Sequence, residues 1–175
     1  MTLLAIKYTR GDLQILDQLK LPHESIYVPI TSSEDGYFAI LNMVVRGAPA
    51  IAIVAALSLA VELDGLRSTF GTYTPEGIKE FIDEALDYLN GSRPTAVNLA
   101  DAVRKLGAVV EEEAKRDGAT VESVVEVYVK RAEKMLEDDV QDNKNIGRFG
   151  AEWLMEAAGK KEGEKVNVLT HCNTG

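Results

Sequence analysis

Three short segments combine residue types that can do chemistry. The first is Val45-Arg46-Gly47-Ala48-Pro49-Ala50, where an arginine, a glycine and small residues stand ahead of a long apolar run. Backbone N–H groups at such a helix start face outward at the positive end of the helix dipole, which suits an anion. The Arg46 guanidinium can grip two oxygens of a phosphate. The second is Ser92-Arg93-Pro94-Thr95-Ala96-Val97-Asn98-Leu99, which repeats the device, with Pro94 barring the preceding residue from continuing a helix. The third is Thr170-His171-Cys172-Asn173-Thr174-Gly175. A thiol on a loop after a strand, near amides and a histidine, is placed to act as nucleophile or acid.

Each segment also has a plainer reading. Gly47 and Pro49 can simply shape a helix–helix turn while Arg46 pairs with one of the 28 acidic residues. Arg93 can be a solvated charge at a turn. Cys172 can be a small buried hydrophobe, and His171 need not face it, because neighbouring side chains on a strand point oppositely. Spacing alone leaves both readings open. His23 has no visible partner, and the acidic runs at Glu111–Glu113 and Glu137–Asp139 read as solvated helix faces. No zinc spacing, phosphate-cradling nucleotide loop or dinucleotide fingerprint occurs.

The elements that must position these segments are mostly helices. Leu3–Tyr8 and Leu13–Leu19 flank the turn Arg10-Gly11-Asp12 and predict a hairpin, and Ile26–Ile30 predicts a further strand, at an edge because of Pro29. Ser32 or Ser33 can cap a helix from about Glu34 to Val44. A second helix begins at Pro49, and a third at Thr74-Pro75, with Ile78, Phe81, Ile82, Leu86 and Leu89 at helical spacing. Further helices are expected over Thr95–Lys115 and Val121–Leu136, with a last one after Asn145-Ile146-Gly147. Val166–Thr170 is a short β-prone run with His171–Gly175 at its tip, the pattern of the first strand of a parallel α/β domain.

Composition narrows the classes. The 175 residues are 46% hydrophobic and 27% charged, as in a globular protein. A net charge of -9 argues against a nucleic-acid partner, and most of it falls in residues 74–175. The apolar run Ala48–Val61 is too short to cross a bilayer and reads as a buried helix, so no membrane partner is expected. One cysteine cannot form an internal disulfide, and with no targeting segment visible the expected location is the cytoplasm, with the nucleus also open.

Taken in order, Ala5–Tyr8, Leu16–Pro22, Val45–Val54, Ser92–Leu99, Asn145–Gly147 with Gly150-Ala151, and Thr170–Gly175 resemble the S-methyl-5-thioribose-1-phosphate isomerases of methionine salvage. The wider group includes regulatory subunits of an initiation-factor exchange complex and ribose-1,5-bisphosphate isomerases. Cys172 stands where the isomerases carry their catalytic cysteine. The resemblance implies an α+β fold: a small β element (1–30), a mainly helical N-terminal domain (31–160), and a connector leading into the first strand of a Rossmann-like α/β domain largely absent here (161–175). It implies an aldose–ketose isomerisation of a small sugar-phosphate substrate without metal or other cofactor. Cys172 would be catalytic, Arg46, Gly47, Ala48 and Arg93 would bind substrate, and the complete protein would be a homodimer. An aspartate and an Asn-Lys pair would follow residue 175, so the 175-residue chain by itself is expected to be inactive.

Overall fold

A computed structural model describes residues 3–161 and 163–169. Three strands come first: β1 (Ile6–Thr9), β2 (Asp12–Leu16) and β3 (Tyr27–Ile30). They form an antiparallel sheet in the order β1-β2-β3, with Ile6 opposite Ile15 and Leu13 opposite Ile30. Strand side chains alternate between faces, so Leu13, Ile15 and Ile30 enter the core together. Pro29 lies on the edge strand β3, where the missing N–H costs no ladder bond.

Among the described residues five α-helices follow: α1 (Ser33–Leu41), α2 (Ala48–Gly65), α3 (Pro75–Gly91), α4 (Val97–Ala114) and α5 (Val121–Ala157). Helix α2 is apolar all round and is the centre of the core, touching α1, α3, α4 and β2. It is long and apolar enough to cross a membrane by length and composition, yet two-thirds of it is buried among the other elements, as a core helix is. Gly36 of α1 meets it closely: a Cβ there would stand 2.3 Å from Ser58 Oγ, so only glycine permits this approach. Tyr128 of α5 is fully buried and donates its hydroxyl to the Ala56 carbonyl at 3.0 Å. That bond satisfies the one polar atom of a large core side chain.

The helices share one hydrophobic core with the sheet, and the chain divides into two compact units at Leu136/Glu137. Within the first unit β1 and β2 pack against α2, so the sheet and the helices are built on the same core. Two expectations need correction. The helices expected on either side of Asn145–Gly147 are one continuous α5. A glycine inside a helix costs only about 1 kcal/mol, and here side-chain bonds one turn apart, Gln141–Asn145 and Asn143 to the Asp139 carbonyl, run alongside it. Phe149 and Trp153 of α5 are exposed. A 3-10 turn over Arg67–Thr72 had no sequence forecast. Residues 164–169 carry no regular structure; a β-prone run becomes a strand only against a neighbour that accepts its bonds, and none lies among the described residues.

Candidate anion-binding helix starts

The five helix starts are not alike. Ser32 Oγ accepts the Asp35 N–H at 3.2 Å, Thr74 Oγ1 the Gly77 N–H at 3.0 Å, and Thr120 Oγ1 the Ser123 N–H at 3.1 Å. These hydroxyls close α1, α3 and α5. Helices α2 and α4 begin at Gly47 and Ala96, and neither has a side-chain cap. The first bonds of these helices are Ile51 N–H to the Gly47 carbonyl (2.9 Å) and Ala100 N–H to the Ala96 carbonyl (3.1 Å). Among the described residues the N–H groups of Ala48, Ala50, Asn98 and Leu99 have no backbone acceptor. The two starts without a cap are the two that follow Arg46 and Arg93.

Neither arginine forms an ion pair with any described residue, whereas Arg10, Arg67, Arg104 and Arg116 each hold a carboxylate. Arg131 is also unpaired but lies in the middle of α5. In a chain with nine more acids than bases, Arg46 and Arg93 thus stand beside open helix starts with no carboxylate partner among the described residues. Arg46 is exposed and Arg93 half-buried.

The local backbone explains how Arg46 is held. Gly47 adopts φ +102, a region that favours glycine, although a Cβ would have room there. Met43 stands at φ 57, and its carbonyl accepts from Arg46 Nε at 3.4 Å. Val44 and Val45 N–H both donate to the Ala39 carbonyl, and the Val45 side chain is buried. On the other loop, buried Ser92 donates its hydroxyl to the Leu89 carbonyl at 2.6 Å, and Ala96 N–H bonds the Arg93 carbonyl at 2.9 Å. Thus Arg46 and Ala48 sit on the α1–α2 connection and Arg93 on the α3–α4 connection. Helix α1 packs on α3 and α2 on α4. Cys172 and His171 lie outside the described residues.

The profile of the Initiation factor 2 subunit family matches residues 44–175, three-quarters of the chain, beginning at the Arg46 loop. The chain belongs to that family. It is 54% identical over 176 residues to the methylthioribose-1-phosphate isomerase of Talaromyces marneffei, covering 100% of this chain and 46% of that protein. It is 58% identical over 177 residues to that of Pyrenophora tritici-repentis, covering 100% and 44%. The chain therefore spans a little under half the length of these relatives. The crystal structure of 5-methylthioribose 1-phosphate isomerase from Pyrococcus horikoshii OT3 superposes with a TM-score of 0.75 at 31% identity, over 86% of this chain and 40% of that one. That of translation initiation factor eIF-2B, subunit delta, from A. fulgidus gives 0.71 at 32% identity, over 87% and 42%.

Two residues of this site escaped sequence reasoning, Gln18 and Met43. Gln18 Oε1 accepts the Arg46 N–H at 3.1 Å across 28 residues. Gln18 lies within Leu16–Pro22, one of the segments that carry the resemblance, but no periodicity says that its amide folds onto a later loop.

Proposed function

We propose that the full-length protein carrying this chain is an aldose–ketose isomerase that converts S-methyl-5-thioribose 1-phosphate to S-methyl-5-thioribulose 1-phosphate in methionine salvage. One observation carries the reading: this chain aligns over its whole length with isomerases named for a sugar 1-phosphate, and its two open helix starts each follow an arginine with no ion-pair partner among the described residues. In this reading Arg46, with the amides around Gly47 and Ala48, and Arg93 hold the phosphate.

The chemistry sets what else is needed. The phosphate on the anomeric oxygen prevents ring opening by simple loss of a hydroxyl proton. The C1–ring-oxygen bond must break with a proton delivered to the ring oxygen. One hydrogen must pass from C2 to C1, and a proton must leave the C2 side as its carbonyl forms. Cys172 and an aspartate outside this chain are the proposed acid–base pair. Cys172→Ser in the full-length protein is expected to abolish turnover while leaving substrate affinity largely intact, because it removes chemistry and keeps the phosphate contacts. Normal turnover by that variant would refute the role of the thiol.

A regulatory reading has the initiation-factor subunit structure behind it, at nearly the same TM-score as the isomerase. The continuation of the chain discriminates: an aspartate followed by an Asn-Lys pair favours the enzyme, and their absence favours the regulator. Ribose 1,5-bisphosphate offered in place of the methylthio substrate separates the two isomerase readings. A homodimer, on the strength of the resemblance, and a cytoplasmic location with the nucleus also open, from the sequence composition, complete the proposal.

A further inference from the structure

The β element is left without a task by the proposed function, and the sequence of the segment that links β2 to β3 is likewise unused. Both meet the Arg46 loop at Gln18. The Gln18 N–H donates to the Val44 carbonyl at 2.9 Å, and the Gln18 side-chain oxygen accepts the Arg46 N–H at 3.1 Å. The two bonds bracket Val45, whose side chain is 1% exposed. One residue therefore grips the loop from both sides of its buried anchor. Gln18 is itself fixed, because the preceding Asp17 donates its N–H to the Ile26 carbonyl at 2.9 Å and accepts the Leu19 N–H on Oδ1 at 3.0 Å.

We propose that Gln18 is a positioning residue for the substrate site, holding the Arg46 backbone so that the guanidinium and the first amides of α2 converge on one anion. This rests on the phosphate-binding reading of Arg46 given above. The physical case is that of pre-organisation: a loop already held in its binding geometry loses less freedom when the ligand arrives. Its alternative, a purely structural glutamine, would affect folding and leave affinity untouched. The bond is made to a main-chain N–H, so Gln18 acts on ligand only through the placement of the Arg46 loop and the α2 amides that follow it.

The test is a double-mutant cycle in the full-length protein. Gln18→Met keeps the side chain's length and removes the acceptor. It is expected to raise KM for methylthioribose 1-phosphate roughly three- to tenfold, the size of one lost hydrogen bond, with kcat nearly unchanged. In an Arg46→Ala background its effect should shrink, because the guanidinium it aims is gone and only the first amides of α2 are left to misplace. Multiplicative effects, or an unchanged KM in an otherwise active enzyme, would overturn the proposal. A second measurement does not depend on turnover. Amide hydrogen exchange at Arg46 should quicken in Gln18→Met and be restored in Gln18→Glu, which keeps an acceptor oxygen. If the wild-type protein turns over no substrate, the isomerase reading fails. Affinity for inorganic phosphate then decides: weaker binding in Gln18→Met supports positioning, and unaltered binding overturns it.

Discussion

The starts of α1, α3 and α5 differ from those of α2 and α4 in what meets their first amides. In the first group a serine or threonine hydroxyl accepts an amide at 3.0–3.2 Å, and the helix is closed by its own chain. In the second group a glycine or an alanine stands at the cap and offers no acceptor. In place of a hydroxyl cap, the alanine at the α4 start forgoes about 1 kcal/mol and the glycine at the α2 start roughly a few tenths, so both open starts are a cost to the fold. Both open starts follow an arginine that no carboxylate among the described residues neutralises. The same chain ties Arg10, Arg67, Arg104 and Arg116 to acids.

The largest break in this contrast comes from the arginines themselves. Arg46→Ala in the full-length protein is expected to weaken substrate binding by about 1.5–3 kcal/mol, as for a charge-assisted hydrogen bond. Arg93→Ala should have a loss of similar size. Steady-state kinetics should place both effects mainly in KM. If one variant raises KM and the other does not, the two open starts do not serve one ligand.

Exchanging the caps gives a finer test. Ala96→Ser supplies α4 with the acceptor it lacks and should stabilise the protein by roughly 0.5–1 kcal/mol. It should also raise KM, because the new hydroxyl competes for the same amides. Thr74→Ala removes an existing cap and is expected to lose about 1 kcal/mol of stability while KM stays put. Thermal melts and kinetics on the pair check both signs. A higher Tm for Ala96→Ser with unaltered KM would show that the α4 amides do not touch the substrate.

The capped starts were legible in the sequence because their signal is local. Ser32, Thr74 with Pro75, and Thr120 lie within three residues of the amides they serve. The hairpin was equally plain, since its turn lies between two runs that pair directly. Arg46 and Arg93 could be singled out for the same reason, but whether acids would claim them could not, because ion pairing depends on which surfaces face each other. Gln18 was invisible for a related cause: its partner lies 28 residues away. The continuity of α5 was missed because one helix was ended at Leu136 and Asn145-Ile146-Gly147 was read as the lead-in to another, although a glycine costs a long helix little.

The smallest expected effect lies on the closed side of the comparison. Arg10, beside the β1–β2 turn, donates to Glu126 and Glu133 of α5 at 2.9–3.0 Å, and Tyr8 donates its hydroxyl to Glu133 at 3.1 Å. The hydrogen bonds from Arg10 hold both carboxyls below their ordinary value of 4.5. A carboxylate whose pKa is depressed by folding contributes stability above its unfolded value and loses it as pH falls through the folded one. Arg10 is 41% exposed, so solvent screens much of the attraction, and Arg10→Ala should cost under about 1 kcal/mol at neutral pH. That difference in melting temperature should shrink once pH drops below 4.5 and vanish when both glutamates are protonated. A gap that persists at low pH would mean that Arg10 stabilises through the packing of its stem, whereas a gap that closes assigns it to charge. Either way KM should not move at neutral pH, because this arginine is already satisfied by its own chain.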